Sequence, residues 1–327
     1  MRRRRFIFLF AWTMAAWPLA AGAQESDSLH RIGFLGNSTA ELEANLVTPF
    51  REGLRDLGHV EGQNIEIEYR WAEGDYKRLP ALVAELIAEQ VEVIVTAGTP
   101  ASLAVKESAT TIPLVMVAVG DPVGTGLVES LAHPGANRTG LTSIAPELEG
   151  KRLELLKEIL PNLTHFAVLW NPGNAYMIAT EKQVQAAAEK LGLKVLSLGV
   201  RSPDELEAAF ARIRNERPQA VNVLADRLFL HNRELIIGFA VEQRLPGIHV
   251  YRELVEAGGL MSYGPSYADM HRRAAWYVDR ILQGASPADL PVEGPALFDL
   301  VINLKAAKAL GVDIPPTVIA RATEVIE

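Results

Sequence analysis

The sequence predicts an α/β protein of two similar lobes, each with a mostly parallel β-sheet and helices on both of its faces. Two series of short β-branched runs alternate with longer helical patterns, and each series covers about 100 residues. The second series begins after Pro161 and repeats the pattern of the first. A chain of 327 residues, 49% of them hydrophobic, is long enough and apolar enough to form two lobes with buried cores.

The first series extends from Arg31 to Val119. Its strands are predicted from short apolar or alternating runs, and its helices from longer patterns with helical periodicity. The predicted strands are Arg31–Gly36, Asn64–Trp71, Val91–Thr96 and Ile112–Val119, and the predicted helices are Leu42–Leu57, Leu79–Glu89 and one that Pro100 opens. Because strands alternate with helices here, neighbouring strands are expected to be parallel and joined by helical crossovers.

The second series repeats this alternation and is followed by a different kind of tail. It is predicted from Phe166–Trp170, Ala175–Leu191, Lys194–Leu198, a helix that begins after Ser202, Ala220–Leu224, Arg233–Arg244, Gly247–Val250 and Leu260–Tyr263. From Ala268 onward the chain has a long helix, a proline-rich stretch and a short helix near Lys305. Such a tail suits chain crossings between the two lobes.

The first 23 residues resemble a cleavable secretory signal. Arg2 to Arg5 are positively charged, Phe6–Trp17 is apolar, and small residues up to Ala23 predict cleavage ahead of Gln24. The alternative is an uncleaved membrane anchor, and both Sec and twin-arginine export fit the arginines. Without any cysteine, the chain has no site for the lipid of a bacterial lipoprotein. The sequence therefore predicts an unanchored protein of the periplasm.

The charge of the chain argues against a nucleic-acid partner. Its formal net charge of -8 becomes -12 once the four positive charges of Arg2 to Arg5 are removed with the signal. Nucleic-acid binding requires a basic face, whereas a small anionic ligand can still bind to local backbone amides. The predicted partner is therefore a small molecule.

The loops after the predicted strands contain candidate ligand-binding residues. In open α/β sheets, ligands bind beyond the carboxyl ends of the strands, where the N-termini of helices point. In the first lobe the candidates are Asn37, Ser38, Thr99, Ala101, Ser102 and Asp121. The amides of the helix that begins near Thr99 can hold a carboxylate, assisted by hydroxyl groups. Asp121 can hold an ammonium group or belong to an Asp-Pro turn.

The candidates in the second lobe are Asn174, Asp226 and Tyr251. Asn171 and Asn174 follow a strand and can contact a ligand or simply cap a helix. Asp226 ends an apolar strand, where a buried carboxylate needs a partner, and this favours a functional role. Tyr251, like Tyr263, can line a pocket or pack between the lobes.

The sequence shows little that indicates catalysis, a metal site or a cofactor. Its seven histidines have no metal-ligand spacing, and it lacks HExxH, Walker and GxGxxG motifs. The segment Gly36-x-Ser38-x-Ala40 loosely resembles the nucleophile elbow of an α/β hydrolase, which makes a hydrolase that uses Ser38 a remote alternative. A non-enzymatic binding protein without cofactor or metal is the stronger prediction.

Segments along nearly the whole chain resemble one family of proteins. They are IGFLG, DLGHVEGQNIEIEYRWAEGDYKRLPALVAELI, VIVTAGTPASLAVK, IPLVMVAVGDPVGTGLV, NRTGLTS, GKRLELLKEILPN, VLWNPGN, LADRLFLHNRELI, GGLMSYGPSYADMHRRAAWYVDRILQGASPADLPVE and VINLKAAKALG. The chain is thereby similar to the ABC-transporter substrate-binding proteins related to the tryptophan and tyrosine uptake group.

This resemblance implies a type I periplasmic-binding-protein fold, with two flavodoxin-like (Rossmann-like) lobes joined by a hinge. Residues 28–145 with part of 264–295 would form one lobe, and 146–263 with part of 296–327 the other. The nine candidate residues would hold a ligand in the cleft between the lobes. The ligand is expected to be an amino acid or a related aromatic or carboxylate solute.

The resemblance also implies partners. Closure of the cleft would present the ligand to an ABC permease, with ATP hydrolysed by partner ATPase subunits and membrane contact only through the permease. The alternative is a sensing module that docks to a receptor kinase or chemoreceptor.

Overall fold

The computed structural model describes residues 29–143 and 148–327, which form two α/β lobes. The predicted signal at residues 1–23, its cleavage position, and the predicted lobe boundary at residues 145 and 146 lie outside the described residues. Within the described part of the chain, no helix is both long and apolar enough to cross a membrane.

The first lobe has a parallel sheet with helices on both faces. Within residues 29–143 its five strands lie in the order β2-β1-β3-β4-β5. They are β1 (His30–Gly36), β2 (Ile65–Trp71), β3 (Val93–Ala97), β4 (Leu114–Val119) and β5 (Arg138–Thr142), and the helices are α1 (Ala44–Asp56), α2 (Leu79–Ala88) and α3 (Thr99–Glu107). Successive strand residues pack on opposite faces, so Phe34 and Leu35 belong to different core clusters.

The second lobe has a larger sheet whose last two strands depart from the predicted parallel arrangement. The order in residues 148–327 is β12-β11-β10-β9-β8-β6-β7. The strands are β6 (His165–Trp170), β7 (Lys194–Gly199), β8 (Val221–Val223), β9 (Gly247–His249), β10 (Met261–Pro265), β11 (Phe298–Asn303) and β12 (Glu324–Ile326). Strand β11 is antiparallel to β10, and β12 is parallel to β11. The sheet is therefore mixed at one edge.

Helices cover both faces of this second sheet. They are α4 (Leu148–Ile159), α5 (Ala175–Lys190), α6 (Leu206–Glu216), α7 (Arg227–His231), α8 (Arg233–Glu242), α9 (Arg252–Glu256), α11 (Leu304–Leu310) and α12 (Pro316–Ile319). Alternate residues of β6 again pack into two clusters, Ala167 on one face and Val168 on the other. The two lobes thus have the same layered construction.

The chain returns to the first lobe after β10 and then crosses back. Helix α10 (Tyr267–Leu282) packs against α1 and against β3, β4 and β5. The approach is close, because a Cβ at Gly53 would lie 2.6 Å from the carbonyl oxygen of Arg272. After α10, the carbonyl of Glu293 accepts a hydrogen bond from the backbone N–H of Thr142 in the first lobe over 2.8 Å. The chain then re-enters the second sheet at β11. This return path explains why β11 is antiparallel to β10.

Two buried histidines make the free energy of unfolding depend on pH. Burial lowers the pKa of His249 to about 3 and that of His271 to about 3, from the ordinary value of 6.5. Between pH 6.5 and 3 the unfolded chain binds protons that the folded chain does not bind. The contribution of each imidazole to stability is therefore complete above pH 6.5 and falls as the pH decreases, by up to about 1.4 kcal/mol per pH unit.

We expect the free energy of unfolding, measured by urea denaturation, to decrease between pH 7.5 and pH 5.5. His249→Leu removes one of the two groups and should make this decrease smaller. His133→Ala changes an exposed histidine and serves as the control. A decrease of the same size in His249→Leu and in the parent protein would contradict the assignment to this imidazole.

Candidate functional site

The carboxyl ends of the strands in both lobes border a narrow cavity with about 30 Å³ of free space. This is room for only one or two water molecules, so a larger ligand requires the lobes to move apart. The first lobe lines it with Asn37, Tyr76, Gly98, Thr99, Pro100, Ala118, Gly120 and Ser143, and the second with Asn174, Tyr176, Ala225, Asp226, Arg227 and Tyr251, while Tyr267 begins α10. Five of the nine predicted residues lie in this lining: Asn37, Thr99, Asn174, Asp226 and Tyr251.

Asp226 is the most highly connected side chain of the cavity. It precedes α7 as the N-cap, and its Oδ1 accepts hydrogen bonds from the Leu228 backbone N–H and the Asn171 Nδ2, both at 3.0 Å. The Tyr76 hydroxyl donates to the same oxygen over 2.9 Å. Oδ2 accepts from Asn174 Nδ2 over 2.9 Å. Burial raises the pKa of the Asp226 carboxyl, and these hydrogen bonds oppose that rise.

Asn171 and Asn174 hold Asp226 in place and also organise their own turn. Asn174 Oδ1 accepts from the Tyr176 backbone N–H and caps α5, and Asn171 Oδ1 accepts from the Gly173 N–H. Each amide oxygen accepts a hydrogen bond within the turn, and each amide nitrogen donates to Asp226. These structural roles, which agree with the capping interpretation, account for both side chains. Only Asn174 also lines the cavity.

Arg227 is the charged group that the sequence analysis missed. It is 5% exposed, and its guanidinium lies 5.0 Å from the centre of the Tyr251 ring and 5.8 Å from that of Tyr267. It makes no hydrogen bond to any residue in 29–143 or 148–327. The buried carboxyl of Glu43, which accepts from the backbone of Asn37 and Ser38, interacts with it only electrostatically. Arg227 therefore lines the cavity with guanidinium N–H groups that have no acceptor within the described part of the chain.

The wall from the first lobe consists mostly of backbone and small side chains. Thr99 Oγ1 accepts from the Gly120 backbone N–H over 3.0 Å, and Asn37 Nδ2 donates to the Ala97 carbonyl. Ala118 has a φ of +57° where the register of β4 and β5 shifts, and this bulge brings its backbone to the cavity. A ligand in the cavity can therefore come close to backbone atoms of the first lobe.

Four of the predicted residues are outside the lining. Ala101 and Ser102 are buried in α3, where the Ser102 hydroxyl bonds to Thr96 Oγ1 and the Gly98 carbonyl. Asp121 has a φ of +36°, and its Oδ1 accepts from the Gly124 N–H over 2.8 Å, so its carboxylate belongs to the turn. Ser38 is fully buried, and its hydroxyl has no hydrogen-bond partner among the described residues, hence no general base to activate it.

The two lobes contact each other directly around the cavity. The Tyr76–Asp226 hydrogen bond joins them, and Asn45 of α1 donates to Glu253 of α9. The Tyr176 ring lies so close to Gly120 that a Cβ built on this glycine would overlap it. The two lobes are therefore in direct contact on either side of the cleft.

A family profile described as ABC transporter substrate-binding protein matches residues 42–326 of the chain. The chain belongs to this family. A relative, the tyrosine-binding protein of Clostridioides difficile (strain R20291), is 27% identical over 261 residues, which are 80% of this chain and 75% of that protein. The chain is accordingly a substrate-binding protein and not an enzyme, with the type I periplasmic-binding-protein fold that the resemblance implied.

Two solved structures bear on the arrangement of the lobes. A domain from Streptococcus pneumonia in complex with L-Trp has a TM-score of 0.85 at 27% identity, covering 91% of this chain and 100% of that one. The ligand-free, open structure of a substrate-binding protein with adhesive properties from Clostridium difficile has a TM-score of 0.67 at 25% identity, covering 91% and 99%. By TM-score, this chain is thus more similar in its overall arrangement to the L-Trp complex than to the ligand-free, open structure.

No group of three or more His, Asp or Glu side chains in the described residues is placed to hold a metal ion. Among the described residues, the cavity instead combines the Arg227 guanidinium without a hydrogen bond, the Asp226 carboxyl with remaining acceptor capacity, and four tyrosines, which are Tyr76, Tyr176, Tyr251 and Tyr267. Burial raises the pKa of Tyr251 to about 12, so this phenol stays neutral. The chemistry of this lining is complementary to a zwitterion with an aromatic side chain.

Proposed function

We propose that this chain is the solute-binding component of an ABC importer and that it captures an α-amino acid with an aromatic side chain. The observation that carries the proposal is Arg227, a buried cation in the cleft without a hydrogen bond to the described protein. An unpaired buried charge is costly, and a guanidinium binds a carboxylate through two parallel hydrogen bonds. The carboxylate of the ligand supplies the hydrogen-bonded anion that Glu43, which interacts with Arg227 only electrostatically, does not supply.

Asp226 supplies the complementary group for the ammonium of the ligand. Within residues 29–143 and 148–327 its Oδ2 accepts a single hydrogen bond, from Asn174, and therefore keeps room for an N–H donor. Asp226 and Arg227 are adjacent in the chain and both line the cavity, so together they match the two charges of an α-amino acid.

The aromatic character of the ligand follows from the tyrosines and agrees with the relatives. Four tyrosine rings line the cavity and offer faces for an aromatic side chain. The relative from Clostridioides difficile is named a tyrosine-binding protein, and the Streptococcus structure contains L-Trp. These names support the same ligand class here.

Capture uses closure of the two lobes. A ligand that contacts Arg227 and Asp226 on one side and Thr99 and Gly120 on the other stabilises the closed form, because the open form cannot offer both sets of contacts. The closed complex then docks to the membrane permease, whose ATPase partners drive import. The signal predicted at residues 1–23 supports placing this role in the periplasm.

The proposal is tested by calorimetric titration of the protein that starts at Gln24 with tyrosine, tryptophan, phenylalanine, leucine and glucose. Binding of the aromatic amino acids is the expected result. At 100 times its dissociation constant such a ligand adds about 2.7 kcal/mol to stability, which a thermal melt also detects. Failure of every aromatic amino acid to bind would overturn the proposal.

The same titration distinguishes the two aspartates. We expect Asp226→Asn to weaken binding by about ten-fold or more, since a charge-assisted bond to a desolvated ammonium contributes about 1.5 to 3 kcal/mol. Asp121→Ala should leave the affinity within about three-fold, because that carboxylate bonds to Gly124 in its own turn. Equal losses in both variants would contradict the assignment of the ammonium to Asp226.

A further inference from the structure

A second cavity, with about 310 Å³ of free space, lies between the two lobes. Asn45 and Leu46 of α1 line it from the first lobe, and residues of α9, β10 and β11 line it from the second. Tyr267 lines both this cavity, called the α9 cavity below, and the ligand cavity. Its volume is at the lower end of the range of small-molecule sites. Unlike the ligand cavity, it has room for a small organic molecule while the lobes are in contact.

The α9 cavity has an excess of negative charge. Three carboxylates line it, those of Glu253, Glu256 and Asp299, against the single guanidinium of Arg252. Arg252 Nε donates to Glu256 over 2.9 Å, and its Nη2 donates to Glu324 over 2.8 Å. The N-termini of α1 and α10 also border the cavity, but each contributes only about half a positive charge. Two negative charges are therefore in excess among the described side chains of the lining, and this favours a cation.

Two polar side chains on the sheet side of the cavity have no partner. The carboxylate of Asp299 on β11 makes no ion pair or hydrogen bond within residues 29–143 and 148–327. Ser262 on β10 is 2% exposed, and its hydroxyl also lacks a hydrogen-bond partner in those ranges. A buried hydroxyl without a partner is unfavourable, because it has lost its hydrogen bonds to water. A polar ligand group in the α9 cavity supplies the missing partner.

The register of β10 and β11 brings these two side chains to one face of the second sheet. Asp299 lies opposite Gly264, and Ser262 is two residues before Gly264 on β10. Residues opposite each other, and residues two apart along a strand, project from the same face. Gly264 has no side chain to fill the space between them, and a Cβ there would lie 2.7 Å from the Val250 carbonyl oxygen. One ligand group can therefore meet both the carboxylate and the hydroxyl.

We propose that the α9 cavity is a binding site for an aliphatic diamine, separate from the site of the amino acid. One ammonium group donates to the Asp299 carboxylate and the Ser262 hydroxyl, and the other lies near the carboxylates of α9. An ammonium group has three N–H donors and no acceptor, which matches a wall of acceptors. The two positive charges of a diamine balance the two negative charges in excess. A metal ion fits less well, since the described residues include no group of three or more His, Asp or Glu side chains placed to hold one.

The experiment is calorimetric titration of the protein that starts at Gln24 with cadaverine (1,5-diaminopentane), without any amino acid. Pentane-1,5-diol has the same carbon chain without charge and is the control probe. We expect saturable binding of cadaverine and no binding of the diol. Asp299→Asn preserves the size of the side chain and should weaken cadaverine binding about ten-fold or more, because the charge-assisted bond is lost. Asp313→Asn removes the same charge from an exposed position outside the cavity and should leave the affinity within about three-fold.

Three results would overturn this inference. The first is the absence of saturable cadaverine binding to the parent protein, a measurement that does not depend on how any variant folds. The second is an equal loss of affinity in Asp299→Asn and Asp313→Asn, because attraction of a dication to the acidic surface as a whole then explains the binding. The third is binding of the diol as tightly as cadaverine, which would exclude recognition by charge. The proposed function is tested by a separate titration with aromatic amino acids and does not depend on these results.

Discussion

Arg227→Met is expected to weaken the binding of an aromatic amino acid by about 100-fold or more. Removal of one partner of a buried, hydrogen-bonded charge pair typically costs about 2 to 5 kcal/mol, since the carboxylate of the ligand is left without its counter-charge. The guanidinium makes no hydrogen bond within the described residues, so the variant loses its contacts with the Tyr251 and Tyr267 rings and its attraction to Glu43 but should still fold. Calorimetric titration and thermal melting measure the two quantities separately.

The control for this variant is Arg233→Met at the start of α8, whose side chain is 26% exposed and pairs with Glu234. It removes the same charge from a neighbouring helix outside the cavity lining and should leave affinity unchanged. A loss of less than about three-fold in Arg227→Met would show that the carboxylate of the ligand binds elsewhere.

The second large effect is expected from Gly120→Ala, which should hold the lobes apart. The Tyr176 ring occupies the space that the new methyl group needs, so the closed form cannot be reached without displacing that ring. Ligand binding gains its free energy from the closed form, so we expect affinity to fall about 10- to 100-fold. Small-angle X-ray scattering should show that the radius of gyration no longer decreases when ligand is added.

Two further variants test whether the effect of Gly120→Ala comes from blocked closure of the lobes or from a folding defect. Gly238→Ala places a methyl group on α8, where it meets no atom within 4 Å, and should bind and close like the parent. Gly120→Ala combined with Tyr176→Ala removes the overlap and should restore the contraction, although the ligand loses one aromatic wall. A ligand-induced contraction that persists in Gly120→Ala alone would contradict the role of this contact.

The order of strands and helices could be predicted from the sequence because each lobe repeats one local pattern. Apolar runs such as Phe166–Trp170 form strands, and their alternating burial follows from strand geometry. The antiparallel β11 could not be predicted in the same way. Its direction depends on the return of the chain into the first lobe through α10, which is a tertiary contact and leaves no local periodicity.

The candidate site was predicted in part for a similar reason. The loops after the strands of both lobes border one cleft, and Asp226 lies in it because it both follows a strand and caps a helix. Asp121 also follows a strand, but a left-handed backbone turns its carboxylate onto Gly124. Arg227 is followed by an apolar run in the sequence, LFL, and this is the signal that could have indicated its burial. Its lack of a partner is visible only in three dimensions.

Because α10 comes late in the sequence, the first lobe is synthesised early but can complete its packing only late. The first sheet is complete at Thr142, yet the helix that covers one of its faces ends only at Leu282. Until then the residues around Phe34 and Phe50 lack the apolar surface of Met270, Ala274 and Tyr277. The first lobe is thus synthesised early and completed late, after nearly the whole second lobe. A chain with this order stays incompletely packed in its first lobe through most of its synthesis.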